Sequence, residues 1–219
     1  YLGRELHNAE GQHAGPLSFS LPVPHGEPHT GLGTVMMTRI EENGQTFVHA
    51  SDIQLLNEEA VSLTLEWHLD VALVDGPPLY LSKLSPRLRR RAWKNALRLA
   101  SQIPTLILDH HLLRNQEGLD WLTRLSARSG HRVICAADFM GRPRQLLEAH
   151  REQLYSDFPI PEGWHAAYAH GEVEINADQA LERLKSLGIY DTGVRQCEFD
   201  SVKVGSQCNQ SENGQQPIV

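Results

Sequence analysis

From residue 45 onward, short apolar runs alternate with stretches of helical period, and that alternation leaves few architectures open. Gln45–Ala50, Val71–Val74, Thr105–Leu108 and His131–Ala136 read as strands. Between the first two, Asn57 can cap a helix that runs to about His68, with Glu58 and Glu59 in its first turn. Ser85-Pro86 opens the next helix, and Leu88, Ala92, Ala96, Leu99 and Ala100 keep one apolar face on it. Leu119, Leu122 and Leu125 mark a third helix that Gly130 can end, and Pro143–Tyr155 reads as a fourth. The order β-α-β-α-β-α-β-α predicts an α/β domain with a mainly parallel sheet and right-handed crossovers.

Upstream, Leu17–Leu21 alternates apolar and polar residues until Pro22 and Pro24 stop it, and a loop follows from His25 to Gly33. Thr34–Ile40 and Gln45–Ala50 then flank Glu41-Glu42-Asn43-Gly44, a hairpin cue because Asn and Gly both tolerate positive φ. Downstream, 156–175 is loop-like and Asn176–Leu187 can form one more helix. From Asp191 the chain turns polar and is expected to be disordered. The expected organisation is one domain over 1–155, an extension with one helix over 156–190, and a polar tail over 191–219.

Bulk properties narrow the function. The 219 residues suffice for one sizeable core, and the net charge of −7 argues against a general nucleic-acid binder. No apolar run is long enough to cross a bilayer and no secretion leader is evident, so no membrane association is expected. Three cysteines (Cys135, Cys197, Cys208) make neither a disulfide framework nor a zinc-finger spacing, which points to a reducing cytoplasm.

The chemistry-bearing residues fall at strand ends. Asp52 follows the first parallel strand, Asp75 the second and Asp109-His110-His111 the third, while His25 follows an early strand in Pro24-His25-Gly26. Ligands of open α/β sheets collect beyond the carboxyl ends of the strands. Neutral imidazoles and carboxylates gathered there suit a hydrolytic metal site. Strand alternation sends His110 and His111 to opposite faces, so one of the pair is expected to be a ligand. Asp75 or Asp109 could orient that imidazole. Each residue alone also has an ordinary explanation, as a turn aspartate or a packed histidine. His29 could compete with His25, Asp138 is a further candidate at the same edge, and His49 lies on the other face from Asp52. The basic face Arg87, Arg90, Arg91, Lys94 and Arg98 reads first as a solvated helix face.

In combination, Pro24-His25-Gly26, Gly31-Leu-Gly33, Phe47-Val-His-Ala-Ser-Asp52-Ile-Gln54, Asp75-Gly-Pro-Pro78 and Ile107-Leu-Asp-His-His-Leu-Leu113 resemble the UPF0282 family. Ala136-Ala-Asp-Phe-Met-Gly141 and Leu147-Glu-Ala-His-Arg151 extend the resemblance, which covers about residues 9–155. Those proteins are assigned to the metallo-β-lactamase superfamily of metal-dependent hydrolases. The resemblance implies the second half of an αββα sandwich. It also implies a divalent metal, with zinc suited to His and Asp ligation. His25 and His110 match metal-binding histidines, with His111 in reserve, and Asp52 matches a bridging aspartate. The superfamily's His-x-His-x-Asp-His cluster is absent from these 219 residues, so the expectation is a C-terminal portion of such a protein or a member lacking the first half.

Three functions follow as expectations. The first is a metal-dependent hydrolase acting on a phosphoester, ester or amide in an unidentified small molecule. The second is a non-catalytic α/β domain that binds a partner without metal. The third is a metal-dependent nuclease acting on RNA through the basic helix face. Loss of half a sandwich would uncover an apolar sheet face, and self-association is expected from it.

Overall fold

The computed structural model describes residues 7–28, 30–173, 182, 184–186 and 188. The main sheet is assembled from β1 (His13–Ala14), β2 (Leu17–Phe19), β5 (Thr38–Glu42), β6 (Gln45–Ala50), β7 (Val71–Asp75), β8 (Thr105–Asp109) and β9 (Arg132–Ile134). Its order is β1-β2-β5-β6-β7-β8-β9. The pairs up to β5–β6 are antiparallel, and those from β6–β7 to β8–β9 are parallel. A separate ribbon pairs β3 (Val23–Pro24) with β4 (Thr34–Val35). It carries the loop that begins at His25.

The crossover helices form where the local chemistry predicts them. In α1 (Glu58–Glu66), the Asn57 side chain accepts the Glu59 and Ala60 N–H groups, a cap worth about 1 kcal/mol. In α2 (Pro86–Ala100), Ser85 caps and Pro86 sits in the first turn. Helix α3 (Glu117–Ser129) ends at Gly130, whose φ of 72° only glycine adopts readily. The helices α4 (Ala136–Phe139), α5 (Arg151–Asp157) and α6 (Trp164–Ala169) follow β9.

Because β6, β7, β8 and β9 are neighbours in chain order, crossovers of one hand place every connecting helix on the same side of the sheet. The core is built that way. Val48, Ala72, Val74, Leu106, Leu108 and Val133 pack against Ala60 and Val61 of α1, Ala92, Ala96 and Leu99 of α2, and Trp121 and Leu125 of α3.

The opposite side of the sheet has no such layer among the described residues. Leu17, Ile40, Phe47 and Val71 form one cross-strand row there, and Phe19, Leu73 and Ile134 contribute to the next. All seven are only partly buried.

Several expectations need correction. Thr34–Ile40 is two strands in two sheets, because the chain breaks at Met36-Met37 to drive the Met37 side chain into the core. The strand expected over His131–Ala136 ends at Ile134, and the chain turns at once into α4. The helix expected over Pro143–Tyr155 forms only from a 3-10 turn at Glu148–His150 into α5. A bidentate pair from Arg144 to Asp138 holds the preceding segment irregular. The expected loop over 156–175 contains α6, where Trp164 and Tyr168 stack at 5.1 Å across one helical turn. The helix expected over Asn176–Leu187 and the tail from Asp191 lie outside the described residues, apart from 182, 184–186 and 188. No described helix is long and apolar enough to cross a membrane.

Candidate metal centre

Three separate segments deliver the site to the carboxyl edge of the parallel strands. The first is the Asp52 turn after β6. Asp52, Gln54 and Leu55 all have positive φ, at 60°, 51° and 57°, a conformation that costs about 1–2 kcal/mol per ordinary residue. The surroundings enforce it. Buried Asn95 of α2 donates to the Leu55 carbonyl at 2.9 Å, and Asp75 Oδ1 accepts the Gln54 N–H at 2.9 Å. Non-glycine strain of this kind concentrates at functional sites.

The second segment is the His25 loop. The His25 N–H donates to the Gly33 carbonyl and the Gly26 N–H donates to the Asp52 carbonyl, at 3.1 and 3.0 Å. Gly26 has a φ of 73°, and a Cβ there would lie 2.5 Å from Gln54 Oε1. The positive φ, more than the contact with the flexible end of the Gln54 side chain, is what favours glycine where the two loops meet.

The third segment follows β8. His110 takes a φ of 53°, and its N–H donates to its neighbour Asp109 Oδ1 at 2.7 Å. Asp109 Oδ2 accepts the Ala136 N–H at 2.8 Å. That left-handed turn ends strand alternation, so the two adjacent imidazoles lie on the same side, with ring centroids 4.3 Å apart. The expectation of opposite faces is corrected here, because the period of two stops where the strand stops.

The result is three imidazoles around one carboxylate oxygen. His25, His110 and His111 place Nε2 at 3.8, 3.5 and 3.4 Å from Asp52 Oδ1. All three exceed the roughly 2.7–2.9 Å of a good charge-assisted hydrogen bond. Ligand atoms of His25, Asp52 and His111 lie within 4.8 Å of one another, a group able to hold a metal ion. His110 reaches the same oxygen from a more exposed position outside that group.

The electrostatics suit ligation. Burial works against the Asp52 carboxylate, but the Ser51 hydroxyl and the three histidines outweigh it and hold the group below its usual range. Burial, His110 and Arg114 push the His111 imidazole down to about 4, so it is neutral at pH 7 and has a free lone pair to offer. Asp75 is 3% exposed. Its burial, opposed by the Gln54 N–H and reinforced by the Asp52 charge, raises its pKa well above the usual range. Its Oδ2 is buried without a hydrogen bond among the described residues. Neither Asp75 nor Asp109 bonds an imidazole there; both brace backbone instead.

Beyond Asp52 and the neighbouring imidazoles, the His111 ring is touched by Tyr80 and Gln54. Tyr80 Oη lies 3.3 Å from Nδ1, and the Gln54 side-chain amide lies 3.4 Å from Nε2. Arg114 in turn donates to Tyr80 Oη at 3.2 Å. Sequence reasoning missed all three; the signal for Tyr80 was its place just after the rigid Gly76-Pro77-Pro78 turn at the same sheet edge.

Other candidates fall away from the cluster. Asp138 is bound to Arg144 and to the Cys135 N–H. His49 is exposed on β6, and His29 lies outside the described residues, as do Cys197 and Cys208. Cys135 is a free thiol whose burial pushes it up to about 11, which disfavours the thiolate near neutral pH. On α2, Arg91 pairs with Glu27 and Arg98 donates to Ser62, leaving Arg87, Arg90 and Lys94 exposed. A cleft of about 400 Å³ opens beside His110, bounded by Arg114, Cys135, Arg144, Leu147 and Glu148.

Comparison with known proteins gives a family. No family model matches the chain, and no solved structure matches it. The chain is 51% identical over 175 residues to a UPF0282 protein of Methanosarcina mazei, an alignment covering 80% of this chain and 58% of the relative. It is 40% identical over 144 residues to a UPF0282 protein of Methanopyrus kandleri, covering 63% and 48%. With a UPF0282 protein of Aeropyrum pernix the identity is 37% over 150 residues, covering 64% and 51%. The chain spans about half the length of the curated relatives it matches. Over the stretch it shares with them, the chain belongs to the UPF0282 family.

Proposed function

We propose that the intact protein is a metal-dependent hydrolase of metallo-β-lactamase-like architecture, and that this chain supplies one side of its metal centre. The observation that carries this is the convergence of His25, Asp52 and His111 ligand atoms within 4.8 Å, from segments far apart in sequence. Two imidazole nitrogens and a carboxylate oxygen fit zinc, which takes three protein ligands and a water in catalytic sites. The neutral His111 ring, the ionised Asp52 and the orphaned Asp75 Oδ2 fit a nearby cation.

His25, Asp52 and His111 would hold the zinc, which would supply an activated water at neutral pH for attack on a phosphoester, ester or amide. The chain's own residues do the rest. Asp52 and His111 would hold the charge, His25 would close the group, and the exposed His110 would stand beside it as a proton acceptor. The adjoining cleft is the place for the substrate. The sandwich reading draws support from the partly exposed row Leu17, Ile40, Phe47 and Val71, an apolar sheet face of the kind that packs on a second sheet. The same face supports the second reading, a non-catalytic domain that binds a partner. The exposed Arg87, Arg90 and Lys94 are what an RNA substrate would use, against a net charge of −7.

The test is hydrolysis of chromogenic phosphodiester, ester and amide reporters before and after chelation. Activity lost on chelation, restored by zinc and absent in Asp52→Ala supports the hydrolase. Zinc-loaded protein inert toward every reporter class, together with tight capture of a protein partner by metal-free protein, supports the second reading instead.

A further inference from the structure

Hydrogen-bond accounting around His111 singles out a residue that no comparison names. Arginine donates hydrogen bonds and accepts none. The Arg114 N–H at 3.2 Å therefore occupies one lone pair of Tyr80 Oη. A phenol has one hydrogen of its own and a second lone pair left for other partners. Among the described residues, the other neighbour in hydrogen-bond reach is His111 Nδ1, at 3.3 Å. The Arg114 guanidinium also lies 5.7 Å from the Tyr80 ring centroid and pairs with Glu148 at 3.8 Å, so the phenol is held from both its tip and its face. The Tyr80 and His111 ring planes are inclined by 30°. The far nitrogen, Nε2, is thereby aimed at Asp52 Oδ1.

We propose that Tyr80, braced by Arg114, is the positioning residue that holds His111 by Nδ1 and keeps Nε2 turned toward Asp52 and His25. The inference rests on the metal-site reading for its purpose, though the hold on the ring exists without any ion. It has a directional consequence. A histidine that gives Nε2 to a cation carries its proton on Nδ1, and that N–H then donates to the free lone pair of Tyr80 Oη. The phenol accepts from Arg114 and His111 together, and its own O–H turns away from the ring. Without a cation, the Gln54 side-chain amide nitrogen, which only donates, faces Nε2 at 3.4 Å, so the same tautomer, with Nδ1–H on Tyr80 Oη, is already in place. A cation thus meets a ring whose Nε2 lone pair already faces the group, and it displaces only the Gln54 amide. Outer partners of this kind are worth about 10–100-fold in metal affinity.

The experiment uses the full chain, with His111 assigned by its loss in His111→Ala. Long-range ¹⁵N correlation at pH 8 reads which nitrogen bears the proton, with and without zinc, in the wild type, Tyr80→Phe and Arg114→Met. Zinc affinity is measured by competition with a chelator. Tyr80→Phe keeps the ring and removes only the oxygen, so a packing role alone would change neither readout. The expected result is a wild-type proton on Nδ1 both without zinc and with it. Tyr80→Phe should shift the metal-free tautomer balance and weaken zinc at least 10-fold, with Arg114→Met in between. Unchanged tautomers and unchanged affinity in Tyr80→Phe overturn the proposal. If the wild type takes up no zinc, the metal reading falls. The metal-free tautomer balance then decides the role of Tyr80 alone: altered in Tyr80→Phe supports it, unaltered overturns it.

Discussion

Gly76→Ala tests how tightly the floor of the site is built. Gly76 follows Asp75 at the end of β7, and its N–H donates to the Asp109 carbonyl at 3.2 Å. A Cβ on Gly76 would lie 2.5 Å from Leu112 Cβ and 3.1 Å from Leu112 Cγ. Gly76 does not share the positive φ of the turn glycines, so the whole effect is steric. Leu112 is fully buried and directly follows His111. Relief requires roughly 1 Å of movement between two parts of a close-packed core, which costs about 1–3 kcal/mol. Part of that movement passes to His111. Urea unfolding followed by far-ultraviolet circular dichroism should show the midpoint falling with m unchanged. Gly44→Ala is the control: its φ is 74° but nothing lies near its Cβ, so only the backbone term of about 1–2 kcal/mol applies. Because their steric settings differ, only Gly76→Ala should also weaken zinc. A Gly76→Ala protein within about 0.5 kcal/mol of the wild type, the scale of an ordinary surface substitution, would refute the packing argument.

Further outcomes follow from the same coordinates. Asp75 has its pKa raised in the folded state. Its contribution to stability is therefore full below about pH 3.9 and lost as pH rises through the raised value. Asp75→Asn keeps the acceptor for Gln54 and removes that cost. The metal-free variant should be more stable than the wild type at pH 7, with the gap closing toward about pH 4. A variant less stable at every pH would contradict this. The His111 ring, held down to about 4, should show flat C2–H proton shifts between pH 8 and pH 5; a midpoint near its ordinary value of about 6.5 would contradict its burial. Lower pH should destabilise the fold through this group, since its contribution is present above the ordinary value and lost on the way down to the folded one. The apolar row on the open sheet face should drive concentration-dependent association in light scattering. Phe47→Ser should reduce that association without loss of circular dichroism; a wild type that stays monomeric at every concentration would count against it.

Local chemistry was legible in the sequence wherever one residue type decides the outcome. Asn57 and Ser85 cap, Pro86 starts a helix, Gly130 ends one, and Asn43-Gly44 turns the β5–β6 hairpin. What escaped depended on long-range partners. Nothing local separates Thr34-Val35 from Thr38–Glu42, because the break exists to bury Met37 under α1, where the Thr64 hydroxyl meets its sulfur at 3.3 Å. The Arg144–Asp138 pair that suppresses helix at 143–147 is a tertiary contact. At the site, the gathering of Asp52, His25 and the His110-His111 pair at one sheet edge was legible as residue type at strand ends. Their relative orientation was not, because the left-handed turn at His110 follows from Asp109 capturing its N–H. Tyr80 and Gln54 touch the His111 ring and Arg114 touches Tyr80, and sequence spacing carries no record of that.

Zinc titration of single-site variants bears most directly on the account. His25→Ala, Asp52→Ala and His111→Ala each remove a member of the compact group and should lower affinity at least 100-fold. His110→Ala, outside that group, should stay within about tenfold of the wild type, the lower end of an outer-partner effect. Retention of wild-type zinc affinity by the His25, Asp52 and His111 variants would contradict a metal centre at this sheet edge.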